Sequence, residues 1–63
     1  MPIIHINMTE GRTEEQKQKI AEGITDVMVK EAKVKEEAVR IIFNDLKGEN
    51  LAIGKKLFKD LNK

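Results

Sequence analysis

The chain has 63 residues, 12 Lys and Arg against 11 Asp and Glu, one histidine, two aromatic residues and no cysteine. A length of this order accommodates one domain, residues 1–63, and such a domain buries only about 60% of the surface its unfolded chain exposes. The missing cysteines exclude disulfides and thiolate zinc sites, and the near-neutral charge with few aromatics excludes the electrostatic footprint and stacking surface of a nucleic-acid binder.

The first predicted element is a strand over residues 2–8, PIIHINM. Pro2, Ile4, Ile6 and Met8 alternate with Ile3, His5 and Asn7, so one face is fully apolar and the other partly so, as in a strand covered on both sides. The only proline stands first, where its missing N–H removes no interior ladder bond. Residues 9–12 form a turn centred on Gly11. Thr13-Glu14-Glu15-Gln16 then reads as a capping box that opens a helix running to Ala32 or Lys33.

Within that helix Ile20, Ile24, Val27 and Met28 form the apolar stripe, and Glu15/Lys19 and Asp26/Lys30 are i,i+4 pairs in the favourable orientation. Met8 and Met28 read as core. Gly23 costs the helix about 1 kcal/mol relative to alanine and points to close helix–sheet contact. Glu31 falls near the centre of the stripe, and the sequence offers no reason for it.

Residues 39–46, VRIIFNDL, make a second strand. Strand, helix and strand predict a parallel pair joined by a right-handed crossover. After a turn at Lys47-Gly48, the segment Leu51-Ala52-Ile53 before Gly54 predicts a small hairpin or an arm reaching a neighbour. The fold class is therefore α+β, a β-α-β subunit with a short C-terminal hairpin or arm. Two strands and one helix cannot close a core, and without disulfides or metal the remaining remedy is association with further copies that complete the sheet. No segment approaches the ~20 apolar residues of a membrane span. No basic-then-apolar leader is present, so a cytoplasmic protein is expected.

The chemistry-bearing residues are few. Loss of Met1 from ahead of Pro2 leaves a secondary amine at the edge of a sheet. An α-amino group titrates at roughly 8, and apolar surroundings and nearby cations lower that value because each disfavours the protonated form. A lowered amine is what general base catalysis near neutrality requires. With Met1 attached, the nitrogen is acylated and inert. Pro2 on its own also reads simply as a residue that blocks strand addition.

The arginines shift that balance, because ten of the twelve basic residues are lysine and only Arg12 and Arg40 are not. A guanidinium presents a fixed fork to a carboxylate and stays charged when partly buried. Arg40 near the start of an apolar strand either binds a ligand or pairs with Glu37 or Asp45 across a subunit contact. His5 stands alone on its strand face and reads as a packed or interface side chain. The Gly48–Lys56 stretch superficially looks like a phosphate loop but has the wrong glycine spacing and no Ser or Thr after the lysine.

The start PIIHINMTEGRTEEQKQKI, the VRIIF segment around Arg40 and LAIG at 51–54 together resemble the short subunits of the 4-oxalocrotonate tautomerase family, over nearly the whole chain. The resemblance implies a homohexamer with active sites between subunits, and no metal or organic cofactor. It implies that Pro2 is the catalytic amine for small 2-oxo or 2-hydroxydienoic acids. Arg12 would bind a distal carboxylate, and Arg40, supplied from another subunit, would hold the 2-oxo acid end. Leu51 stands where many members carry an aromatic pocket wall, so substrate shape and rate are where this chain departs. Two alternatives stay open: a non-catalytic oligomer that captures small carboxylates, and a hydratase or dehalogenase on the same scaffold in which Glu10 activates water.

Overall fold

The computed structural model describes residues 1–61. Ile3–Thr9 form strand β1, Glu14–Ala32 helix α1 and Arg40–Leu46 strand β2, with a short 3-10 turn over Glu36–Ala38 between α1 and β2. A second 3-10 turn, Gly48–Asn50, leads to the paired strands β3, Ala52–Ile53, and β4, Lys56–Leu57, and a third follows at Phe58–Asp60. β1 and β2 pair in parallel with Ile3 opposite Arg40 and Thr9 opposite Leu46, while β3 and β4 form an antiparallel hairpin. The C-terminal segment is thus a hairpin.

Local chemistry accounts for each boundary. The capping box at the start of α1 is closed in both directions: the Gln16 N–H donates to Thr13 Oγ1 at 3.1 Å, and the Thr13 N–H donates to Gln16 Oε1 at 2.8 Å. α1 ends at Lys33, a left-handed residue at φ 59°, ψ 37°. The two-residue β3–β4 loop has positive φ at Gly54 alone, the pattern of a type II′ turn, which places glycine at its first position. Lys17 Nζ reaches Asp45 Oδ2 at 2.6 Å and ties the first turns of α1 to the end of β2. Both groups are partly exposed, so the pair is worth about 0.2–1 kcal/mol. The i,i+4 pairs expected on α1 are not within ion-pair distance; Gln18 Nε2 donating to Glu22 Oε2 at 3.0 Å is the lateral bond found instead.

α1 covers one face of the sheet. Ile4, Ile6 and Met8 of β1 and Ile41 and Phe43 of β2 are half-buried beneath Ile20, Ala21, Ile24 and Met28. The opposite face is open, with Ile3 55% and Ile42 43% exposed beside His5 and Asn7. Val27 does not belong to the inner stripe and is 58% exposed, because at 100° per residue it lies toward the flank rather than beside Ile24 and Met28. Gly23 makes no close helix–sheet contact either: a Cβ there would meet nothing within 4 Å. Met8 and Met28 are half-buried, and among the described residues no side chain is fully buried.

The consequence is an open molecule. Its radius of gyration is 14.9 Å with a longest extent of 44 Å, against roughly 10.6 Å for a compact chain of this length. It exposes 5202 Å², about 1,100 Å² more than the ~4,100 Å² of a compact monomer of its mass.

The third 3-10 turn, which follows the hairpin, is held against the second, which precedes it, by close backbone approach. A Cβ on Gly48 would stand 3.0 Å from the Cβ of Lys59 and 3.1 Å from its Cα and N. Gly48→Ala is therefore expected to cost about 1–3 kcal/mol by overpacking. Hydrogen exchange at the Phe58 amide, which donates to the Leu51 carbonyl at 2.6 Å, should quicken accordingly, while exchange in α1 should not.

Candidate functional site

The parallel register decides which of the chemistry-bearing residues meet. Arg40, the first residue of β2, donates its backbone N–H to the Pro2 carbonyl at 3.0 Å, one step before the Ile3–Arg40 pair. Pro2 is half-buried, and the Met1 side chain ahead of it is 79% exposed. With Met1 attached the Pro2 nitrogen is an amide; freed, it becomes a basic amine beside the start of β2. The Arg40 guanidinium donates through Nη1 to the Glu37 carbonyl and, at 3.4 Å, to the Val39 carbonyl. It therefore reaches Glu37 through the backbone, and Asp45 is engaged by Lys17.

Arg12 is placed elsewhere. Its Nη1 donates to the Thr9 carbonyl at 3.3 Å and to Thr9 Oγ1 at 3.4 Å, which holds it beside the last residue of β1. A seven-residue strand rising ~3.3 Å per residue separates the two ends of β1 by about 20 Å. Leu51, half-buried, lies beyond the carboxyl end of β2, the end that pairs with Thr9. Glu10 is exposed at that same end and donates its backbone N–H to the Leu46 carbonyl at 2.9 Å. One chain therefore joins Pro2 to Arg40 at one end of the sheet and places Arg12 and Glu10 at the other, while Leu51 belongs to the segment that follows β2 and accepts from the Phe58 N–H.

A groove of about 380 Å³ lies between α1 and the first 3-10 turn. It holds Glu22, Asp26, Glu36 and Glu37 and none of Pro2, Arg12, Arg40 or Leu51. Four carboxylates repel an anionic acid, so this groove is not where such a substrate binds. Among the described residues no group of three His, Cys, Asp or Glu is disposed to hold a metal ion, and no helix is long and apolar enough to cross a membrane. His5 is exposed on the open face opposite Ile42.

A small α+β subunit that leaves its arginines at opposite ends of a two-stranded parallel sheet is the class of protein the fold and these residues define. The model of the family of tautomerase enzymes matches residues 2–61, and the chain belongs to that family, within the 4-oxalocrotonate tautomerase group. It is 48% identical over 46 residues to a probable tautomerase of Lactococcus lactis subsp. lactis, covering 73% of this chain and 75% of the relative. Among solved structures it is similar to a 4-oxalocrotonate tautomerase isozyme from Methylibium petroleiphilum, with 37% identity, a TM-score of 0.89 and coverage of 98% of this chain and 100% of that one. A heterohexameric 4-oxalocrotonate tautomerase from Chloroflexus aurantiacus superposes at a TM-score of 0.87 with 26% identity, over 97% and 98% of the two chains. The family membership supports a tautomerase, an isomerase by reaction class.

Sequence reasoning missed Thr9. Its hydroxyl three residues before Arg12 is a visible signal only once the Gly11 turn, at φ 124°, is known to fold the chain back. Thr9→Val removes one of the two acceptors on Arg12 and keeps the side-chain shape. If Arg12 binds substrate, KM for a dicarboxylate should rise about three- to tenfold, the loss of one modest hydrogen bond, with kcat changed less. Thr9→Ser should restore the value, and steady-state kinetics on the three proteins checks both.

Proposed function

We propose that this protein is a cofactor-independent tautomerase that moves a proton between the dienol and conjugated keto forms of small 2-oxo acids. Pro2, freed of Met1, takes the proton from the 2-hydroxyl; the electron pair shifts through the diene, and the proton returns at carbon. No atom or electron is gained or lost, so no cofactor is required. The enolate charge that develops is stabilised by guanidinium groups placed to meet it. Arg40 holds the 2-oxo carboxylate end, Arg12 draws charge toward the distal carboxylate, and Leu51 forms an apolar wall of the pocket.

The observation that carries this reading is the bond from the Arg40 N–H to the Pro2 carbonyl, in a chain whose family performs tautomerisation. It fixes the backbone of an arginine against the one residue whose nitrogen, freed of Met1, becomes a secondary amine. The separation of Arg12 from Pro2 by the length of β1 supports a site completed between subunits. The open sheet face and the excess of exposed surface support a homo-oligomer, which we take to be a hexamer like that of the neighbour from Chloroflexus. A guanidinium serving a neighbouring subunit's Pro2 is compatible with the position of Arg40, whose side chain folds back on its own 3-10 turn in the single chain.

The test is the ultraviolet-followed ketonisation of 2-hydroxymuconate by protein shown by mass to lack Met1. A rate well above the uncatalysed one is expected, and no acceleration would move the weight to a carboxylate-binding role. Pro2→Ala should lower kcat by at least a hundredfold, the usual worth of a positioned general base, with the assembly intact by sedimentation. Protein retaining Met1 should be as inactive as Pro2→Ala.

Arg40→Ala should lower kcat/KM sharply and Arg40→Lys should recover little, because an ammonium cannot reproduce the bidentate fork. A comparable loss at Lys30→Ala would show that bulk positive charge, rather than the Arg40 fork, is what the substrate needs.

A further inference from the structure

We infer that the Lys17–Asp45 pair is a brace for Arg12, and that both members are positioning residues for the recognition of a second carboxylate on the ligand. This deepens the tautomerase reading above and rests on the part of it that gives Arg12 the distal carboxylate.

Arg12 stands in the link between β1 and α1, residues 10–13. The strand side of this link is tied to the sheet, by the Glu10 N–H on the Leu46 carbonyl at 2.9 Å and by the Arg12 guanidinium on Thr9. The helix side is tied to the helix, by the capping box of Thr13 and Gln16 and by the Lys17 N–H on the Thr13 carbonyl at 3.0 Å. The link is therefore placed only as well as the first turns of α1 are placed. Residues 11–19, GRTEEQKQK, contain no apolar side chain, so hydrophobic packing on the sheet begins only at Ile20. Every residue of that stretch is exposed except Lys17. Among the described residues, the bond from Lys17 Nζ to Asp45 Oδ2 at 2.6 Å is what ties this end of the helix to β2.

Both members stand where the pattern calls for an apolar residue. Lys17 is in line with Ile20, Ile24 and Met28 at helical spacing, on the stripe that faces the sheet. Asp45 follows Ile41 and Phe43 at alternate positions of β2, on the face that α1 covers, and pairs with Met8 in the register. With side chains 27% and 41% exposed, the pair adds little to stability, so stability is a poor reason for it. A charge-assisted hydrogen bond fixes direction and length, which apolar contact does not. Set one helical turn after Thr13, it fixes where the link ends and so where Arg12 begins. Recognition of a carboxylate by a guanidinium needs the side chain held to within about 0.5 Å, and this attachment supplies that constraint.

The test is the affinity of protein lacking Met1 for trans,trans-muconate and for sorbate, by calorimetry. The two acids share a conjugated skeleton, and neither carries the 2-hydroxyl from which the reaction starts. Sorbate has a methyl group where muconate has its second carboxylate. Wild-type protein is expected to prefer muconate, and Arg12→Ala to lose that preference. Asp45→Asn and Lys17→Met should both lower it, by about twofold to fivefold, the range an exposed pair is worth. Sorbate affinity, circular dichroism and sedimentation should stay unchanged, and Asp45→Glu should restore the preference. A pair that acts on the ligand through charge alone moves the two variants in opposite directions, because Asp45→Asn removes a negative charge and Lys17→Met a positive one. Opposite shifts, an unchanged ratio, an equal loss of sorbate affinity, a loss of fold or assembly, or a wild-type protein without preference overturns the inference. Binding is read without turnover, so the expected pattern in a protein that does not ketonise 2-hydroxymuconate counts against the tautomerase reading alone.

Discussion

The parallel ladder between β1 and β2 is the constraint on which the rest of the molecule depends. It begins at the Arg40 N–H on the Pro2 carbonyl and closes at the Glu10 N–H on the Leu46 carbonyl. Parallel strands need a long crossover, so α1 is required by topology as well as by its own propensity. The ladder then determines the chemistry by position: whatever opens β1 sits beside whatever opens β2. Slipping the register by one residue would exchange the faces of the slipped strand. Ile41 and Phe43 would leave the cover of α1, and Arg40 would lose its place against Pro2.

The same small topology leaves a physical deficit. One helix can cover one face of a two-stranded sheet and no more, so Ile3 and Ile42 stay exposed on the other, and Ile53 and Leu57 stay exposed on the hairpin. At about 25 cal/mol per Å² of apolar surface, burying such residues is the largest stabilisation still available to the chain. In the proposed assembly, stability and site completion draw on one event. The contacts that would cover the apolar surface are those that would carry Arg12 and Leu51 of one copy toward Pro2 of another. Folding and activity in such a protein are linked through concentration.

Short-range physics was readable from the residues alone. The capping box at Thr13 and Gln16, the end of α1 at Lys33, the alternation of β1 and the turn at Gly54 each depend on a few neighbouring residues, and each stands where the sequence put it to within one residue. The strands begin at Ile3 and Arg40 rather than Pro2 and Val39, because proline donates nothing to a ladder and Val39 closes the preceding 3-10 turn. What misled was the helix interior. Val27 has the composition of a core residue, but its angle on the helix is fixed by which face meets the sheet, and Gly23 has no contact with that sheet.

By itself the sequence determined the element order, the β-α-β class and the scarcity of core, and it marked Pro2, Arg12 and Arg40 as the candidates for carboxylate chemistry. Composition, period and residue type are local quantities, so a linear reading reaches them. Only the tertiary structure decided that Pro2 and Arg40 are joined while Arg12 lies a strand's length away, that Asp45 belongs to Lys17, and that Thr9 holds Arg12. Those facts follow from register and from the direction of each strand, which depend on residues dozens of positions apart meeting in space.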